Sequence, residues 1–170
     1  HGDRRGGYTI TVVGTGFGSR AVCRYGARVA RGLVWTSTSM GCTVPSGAAG
    51  MAVVLGVSND AITYTTARAP FEYEEAVEVS GLEPAMSASE TGGEVVTVAG
   101  RHFVNSAELS CRFGDAEPVR ARYRSSTSIG CVSPSVTDSL QRNSSMLVEV
   151  SNDGVVYTGS GLQFRHQPGL

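Results

Sequence analysis

The residues best able to do chemistry in this chain are its four cysteines, and their setting repeats. Cys23 opens Cys-Arg-Tyr-Gly; after a spacer, Thr-Ser-Thr-Ser-Met-Gly-Cys-Thr-Val-Pro carries Cys42 and ends at Pro45. Cys111 opens Cys-Arg-Phe-Gly; after a similar spacer, Ser-Ser-Thr-Ser-Ile-Gly-Cys-Val-Ser-Pro carries Cys131 and ends at Pro134. The chain is a tandem repeat with one cysteine pair per copy. Neither pair has the Cys-x-x-Cys spacing of thioredoxin chemistry or of a zinc ribbon. The economical pairing is local, Cys23 with Cys42 and Cys111 with Cys131. Such bonds imply an oxidising compartment: secreted, cell-surface or lumenal. Each closes a loop of about 20 residues, worth roughly 3 kcal/mol in the chain-entropy model.

Other candidates carry less. His1, His102 and His166 lie far apart and have no counterpart between the repeats, so neither a Ser-His-Asp set nor a histidine metal site is supported. Gly14-Thr15-Gly16-Phe17-Gly18 follows an apolar strand as a dinucleotide loop does, but Ser19 replaces the third glycine of that fingerprint and no helix follows. A turn between strands accounts for it. Asn59-Asp60 and Asn152-Asp153-Gly154 have too few oxygens for calcium and suit hairpin turns. Arg120, Arg122 and Arg124 form the sharpest binding candidate. At period two they share one strand face, opposite Val119, Ala121 and Tyr123, and a row of guanidinium groups can take the carboxylates or sulfates of an anionic glycan. The competing reading is a solvated face partly neutralised by Asp115 and Glu117. Asn143-Ser144-Ser145 is a sequon for N-linked glycosylation, and the Ser/Thr cluster over 133–145 could carry O-glycans. Trp35, the lone tryptophan, is assigned to core packing in preference to a sugar-stacking platform.

These residues must be positioned by strands. Tyr8, Ile10 and Val12 alternate with Thr9 and Thr11, the period of a half-buried strand. Strands are predicted over residues 21–25, 29–35 (broken by Gly32), 40–44, 51–58 and, after a hairpin at Asn59-Asp60, 62–65. Phe71-Glu72-Tyr73 closes the first copy. The second copy follows the same order, with a leading segment over 77–84, strands near 95–99, 119–124 and 147–151, a return over 155–158 and a closing Leu162-Gln163-Phe164. No window suits an amphipathic helix, and the regular turns indicate an all-β chain of two sandwiches, 1–75 and 76–170. The net charge of -1 in 170 residues gives no general attraction to nucleic acid or anionic membrane. No apolar run approaches the ~20 residues of a spanning helix, so no direct membrane insertion is expected.

Gly-Gly, a Val-Thr-Val strand, Gly-x-x-Phe, Cys-x-Phe/Tyr-Gly, Ser-x-Gly-Cys-x-x-Pro, Val-Ser-Asn-Asp and a terminal Phe together resemble the IPT/TIG domain, the immunoglobulin-like fold of plexins, related receptors and some transcription factors. The second copy matches over about 77–165, through Gly93, Gly100, Phe103, Cys111, Gly114, Cys131, Pro134, Asn152, Gly154 and Phe164. The first matches over 7–73, through Gly7, Gly14, Phe17, Cys23, Gly26, Cys42, Pro45, Asn59 and Phe71. The resemblance implies two consecutive immunoglobulin-like sandwiches with a non-catalytic, extracellular role: a structural or adhesive segment of a larger surface protein or fibre, touching protein or glycan partners. No cofactor, metal site or catalytic residue is expected. The alternative is a polysaccharide-binding accessory module of a carbohydrate-active enzyme. Nucleic-acid binding, as in the transcription factors of this fold, is disfavoured by the paired cysteines and the lack of positive charge. The first copy has almost nothing before Gly6-Gly7, so its first strand is expected to be missing or supplied by another chain. The abrupt start at His1 looks like a piece of something longer, and an open sandwich edge invites strand addition into an array or filament.

Overall fold

A computed structural model describes residues 1–65, 69–87, 89, 91–136 and 145–166. The chain forms two compact units, His1–Ala76 and Val77–Leu170. Among the described residues all regular structure is strand.

Unit one contains β1 (Gly2–Asp3), β2 (Thr9–Val13), β3 (Val22–Tyr25), β4 (Arg28–Thr36), β5 (Ser39–Thr43), β6 (Ala52–Ser58) and β7 (Ala69–Glu74). They hydrogen-bond in the order β1-β7-β6-β3-β4-β5-β2. The long β4 joins the two layers of the sandwich, pairing with β3 through Arg28 to Arg31 and with β5 from Gly32 onward. Gly32 therefore does not break this strand, contrary to the sequence expectation. It marks the crossing from one layer to the other, where a Cβ would lie 2.3 Å from the Ala21 carbonyl oxygen and 2.5 Å from the Met40 methyl. Only glycine fits that approach.

Unit two contains β8 (Glu78–Glu83), β9 (Met86–Ser87), β10 (Val95–Arg101), β11 (Ser110–Phe113), β12 (Val119–Arg120), β13 (Arg122–Ser125), β14 (Ser128–Val132), β15 (Ser145–Ser151) and β16 (Gln163–His166). One layer runs β13-β14-β10-β8 and the other β12-β11-β15-β16-β9. Here the counterpart of β4 is interrupted at the buried Ala121 and gives β12 and β13, one in each layer.

The alternation read from sequence drives both cores. Side chains on successive strand residues point to opposite faces, so Val96 and Val98 are fully buried while Val95 and Ala99 face out. Tyr25, Phe71 and Tyr73 meet edge to face in unit one, with centroids 5.3 and 5.1 Å apart. Phe113 and Phe164 do so in unit two at 5.6 Å. Each core is crossed by a buried disulfide between the layers, Cys23 to Cys42 and Cys111 to Cys131, with Cα atoms 5.8 and 6.1 Å apart.

The predicted hairpin returns over 62–65 and 155–158 do not form strands. Asp60 Oδ1 accepts the amides of Ile62 and Thr63, and Asp153 Oδ1 those of Val155 and Val156, which turns the chain too tightly for a ladder. Pairing is confined to one residue on each return. The Thr65 amide donates to the Val57 carbonyl while its hydroxyl accepts the Val57 amide, and Thr158 does the same with Val150.

β1 pairs in parallel with β7, and its counterpart β9 pairs in parallel with β16. What unit two has in addition is β8, which lies antiparallel on β10 with Thr97 opposite Glu83 and Ala99 opposite Gly81. Among the described residues no strand pairs with the corresponding edge of unit one, along β2.

Candidate functional site

The arginine row stands as the alternation requires. Arg120, Arg122 and Arg124 are exposed, while Val119, Ala121 and Tyr123 turn inward. Arg124 lies across Gly130, where a Cβ would be 3.4 Å from its terminal nitrogen, and its Nη1 donates to the Thr97 hydroxyl at 2.9 Å. Arg120 and Arg122 make no hydrogen bond or ion pair with another described residue, and neither Asp115 nor Glu117 pairs with any of the three. The neutralisation expected from sequence is therefore not built. Asn143, Thr137, Ser139 and Ser144 lie outside the described residues, while Ser133, Ser135 and Ser145 of the Ser/Thr cluster lie within them.

The corresponding face of unit one keeps one arginine, the exposed Arg31 in the place of Arg120, and is otherwise more apolar. Aligning the Ser-x-Gly-Cys motifs puts Leu33 where Arg122 stands and Trp35 where Arg124 stands. Leu33 and Trp35 are 53 and 50% exposed. Trp35 takes the same position over Gly41 that Arg124 takes over Gly130, with its benzo edge 3.0 Å from a Cβ built there. The assignment of Trp35 to the core is thus corrected. Small inward residues on β4, Ala30 and Gly32, leave the larger side chains to the outer face.

A second matched pair involves a guanidinium on an aromatic ring. Arg24 stacks on Tyr64 at 3.9 Å, and Arg112 on Tyr157 at 4.4 Å. In unit two Glu149 accepts the Arg112 Nε–H at 3.1 Å, and the Tyr157 and Ser110 hydroxyls are hydrogen-bonded at 3.0 Å. In unit one Gly56 and Val22 occupy those two positions, and the Tyr64 hydroxyl is buried without a partner.

Sequence reasoning missed the role of the two Asn-Asp pairs. Asn59 spans to the loop after β2, accepting the Gly18 amide at 2.8 Å and donating to the Gly16 carbonyl at 2.9 Å. Asn152 holds the loop after β10 in the same way, through the Val104 amide and the His102 carbonyl. The signal was present: each copy carries both a Gly-x-x-Phe turn and an Asn-Asp pair, and each Asn bonds the residues on either side of that Phe. Asp60 has its carboxyl lowered to about 2, first by the Ser58 hydroxyl and then by the Thr63 and Ile62 amides. Both pairs are thus consumed in turn geometry. A shallow depression of about 370 Å³ lies beside Phe17, Asn59, Asp60 and Tyr64. Among the described residues no three of His, Cys, Asp and Glu cluster as metal ligands would.

The IPT/TIG domain profile matches this sequence twice, over residues 2–73 and 78–166. The chain belongs to the IPT/TIG family. No curated protein sequence matches it. Among solved structures, the plexin A4 full extracellular region is similar over 99% of this chain, at 18% identity and a TM-score of 0.65. At that identity the likeness shows the fold alone. The chain spans 15% of the plexin's length. SGBP-B of the Bacteroides ovatus mixed-linkage glucan utilization locus, solved with a mixed-linkage heptasaccharide, aligns over 96% of this chain and 43% of its own, at 13% identity and a TM-score of 0.38. So low a score carries no argument. As an IPT/TIG tandem, the chain has two copies of one sandwich whose outer faces differ in chemistry.

Proposed function

We propose that this IPT/TIG pair is a non-catalytic extracellular module with a structural or adhesive role in a longer protein. One observation carries the reading: the side chains that could do chemistry are spent on the fold. The four cysteines are joined in disulfides, both Asn-Asp pairs hold turns, and His166 is buried against Phe164. What the units offer to partners is broad sheet face, apolar around Leu33 and Trp35 in unit one and cationic around Arg120 and Arg122 in unit two. Protein contact suits the first face. The second suits sulfated or uronic glycan, because two guanidinium groups stand free of internal partners.

Peptide mapping of the native protein, with and without reduction, tests the compartment. Both disulfides are expected to be linked, and free thiols would remove the main support for an extracellular module. Binding to immobilised heparin tests the glycan face. Arg122→Glu is expected to lose that binding with the fold intact, and unchanged retention on the column would refute the assignment.

A further inference from the structure

Unit one carries two guanidinium groups on one sheet face with no carboxylate to answer them. β3 is flanked by β4 and β6, so its outer face does not depend on what borders β2. Ala21, Cys23 and Tyr25 are buried, which turns Arg24 outward. Residues opposite one another in an antiparallel pair share a face. Val29, opposite Arg24, and Arg31, opposite Val22, therefore stand on the same side as Arg24. Arg31 is then the diagonal neighbour of Arg24, at a separation of about 7–8 Å that long side chains close readily.

Unit two repeats this diagonal with Arg112 and Arg120, but Glu149 lies opposite Arg112 and accepts its Nε–H at 3.1 Å. Gly56 holds that place opposite Arg24. Packing does not demand the glycine, since a Cβ there would meet nothing closer than the Tyr64 side chain at 3.5 Å. Among the described residues the side chains of Arg24 and Arg31 make no hydrogen bond or ion pair. Asp3 and Glu75 pair with Arg5 and Arg4, and Asp60 is taken up by Ser58 and the turn amides. Tyr64 nevertheless orders Arg24, holding its guanidinium over the ring at 3.9 Å while leaving its N–H groups free to donate.

We propose that Arg24 and Arg31 form a site for a sulfate ester of a sulfated glycan. One guanidinium fork takes up both oxygens of a carboxylate. A sulfate ester has three terminal oxygens, enough to meet Arg24 with two and Arg31 with the third. Val29, 58% exposed, lies opposite Arg24 and gives the sugar ring an apolar floor. The bound anion supplies the charge that Glu149 supplies in unit two, and it relieves the repulsion between two neighbouring cations. The site is separate from the Arg120 and Arg122 row and stands whether or not that row binds glycan.

The test is NMR titration of the full isotope-labelled chain with a sulfated uronic disaccharide, and with the same disaccharide stripped of sulfate. It is run in the wild type and in Arg122→Glu, which silences the unit-two row. Saturable shifts are expected at the amides and Nε–H groups of Arg24 and Arg31, with the sulfated sugar only, in both proteins. Arg24→Gln and Arg31→Gln are each expected to weaken binding roughly tenfold. Gly56→Glu sets the carboxylate of unit two beside Arg24 and is expected to abolish binding, whereas the uncharged Gly56→Gln keeps it. Tyr64→Leu frees the guanidinium and is expected to weaken binding a few-fold, and Tyr64→Phe restores it. Shifts confined to residues 120–124, an equal response to the unsulfated sugar, or equal losses in Gly56→Glu and Gly56→Gln overturn the proposal. A lone sulfate contact does not hold the chain on a heparin column without the unit-two row, so the two experiments read different sites.

Discussion

Unit one and unit two are built on the same repeat, the same cysteine pair and the same Asn-Asp turn, yet they finish their sandwiches differently. In unit two the layer that carries β10 has four strands, and Val77, Val79 and Leu82 pack on the core from β8 and its approach. In unit one no described residue forms a strand beyond β2 in the equivalent layer. The outer faces diverge in parallel: Arg122 and Arg124 stand where unit one has Leu33 and Trp35. Unit two has the more charged outer face and unit one the more apolar, with Arg31 keeping the place of Arg120. A common fold thus leaves its outer faces free to vary, because they are not needed to fill the core.

The largest expected difference between the units lies in their dependence on the disulfides. The bridged cysteines are separated by 19 and 20 residues, so the chain-entropy contribution is about equal, roughly 3 kcal/mol each. The described residues bury Ile10, Val12 and Phe17 of unit one only partly, where Val96, Val98 and Phe103 of unit two are buried, which leaves unit one less to absorb that loss. Cys23→Ala with Cys42→Ala is expected to unfold unit one at physiological temperature, whereas Cys111→Ala with Cys131→Ala leaves a less stable but folded unit two. Trp35 fluorescence follows unit one, since it is the lone tryptophan, and calorimetry follows both. Equal losses, or earlier unfolding of unit two, would break the comparison.

A smaller effect separates matched valines. Val98→Ala removes a fully buried side chain and is expected to cost about 2 kcal/mol, transfer and cavity together. Val12→Ala at the equivalent, partly buried place in β2 is expected to cost less than about 1 kcal/mol. Urea melts of the two variants measure both. Similar costs would mean that the core along β2 is covered in solution by a further segment.

The smallest effect is on acid sensitivity. Asp60 titrates at about 2 in the folded chain against an ordinary 3.8. A lowered carboxyl contributes stability above its unfolded value and loses that contribution as pH falls from about 3.8 to about 2. Asp60→Asn keeps an oxygen for the amides of Ile62 and Thr63 but does not titrate in this range. The fall in the unit-one melting temperature over that window is expected to flatten in the variant. An unchanged pH profile would mean that the turn draws no stability from the charge.

Much of the fold was legible without coordinates. Matching Cys-Arg-Tyr-Gly to Cys-Arg-Phe-Gly exposed the repeat, period-two alternation placed the strands, and the absence of Cys-x-x-Cys spacing left local pairing as the economical choice. The arginine face was legible for the same reason, since alternation fixes which residues share a side. Trp35 was not. Alternation says that Val29, Leu33 and Trp35 share a face opposite Ala30, Gly32 and Val34, but which face meets the core depends on the strands across the sheet. Size and hydrophobicity suggest the wrong one, because Gly32 must sit where Ala21 and Met40 press close. The hairpin returns were misread for a related reason. Asn-Asp signals a turn, while its width depends on where the aspartate oxygen finds amides.

The sequence by itself determined the repeat and its all-β character and made local cysteine pairing the economical reading, because each rests on local spacing that the chain states twice. Only the tertiary structure decided which side of β4 faces water and which arginines lack partners among the described residues. Those are properties of contacts between segments far apart in the chain, and two copies of the same local pattern resolve them differently.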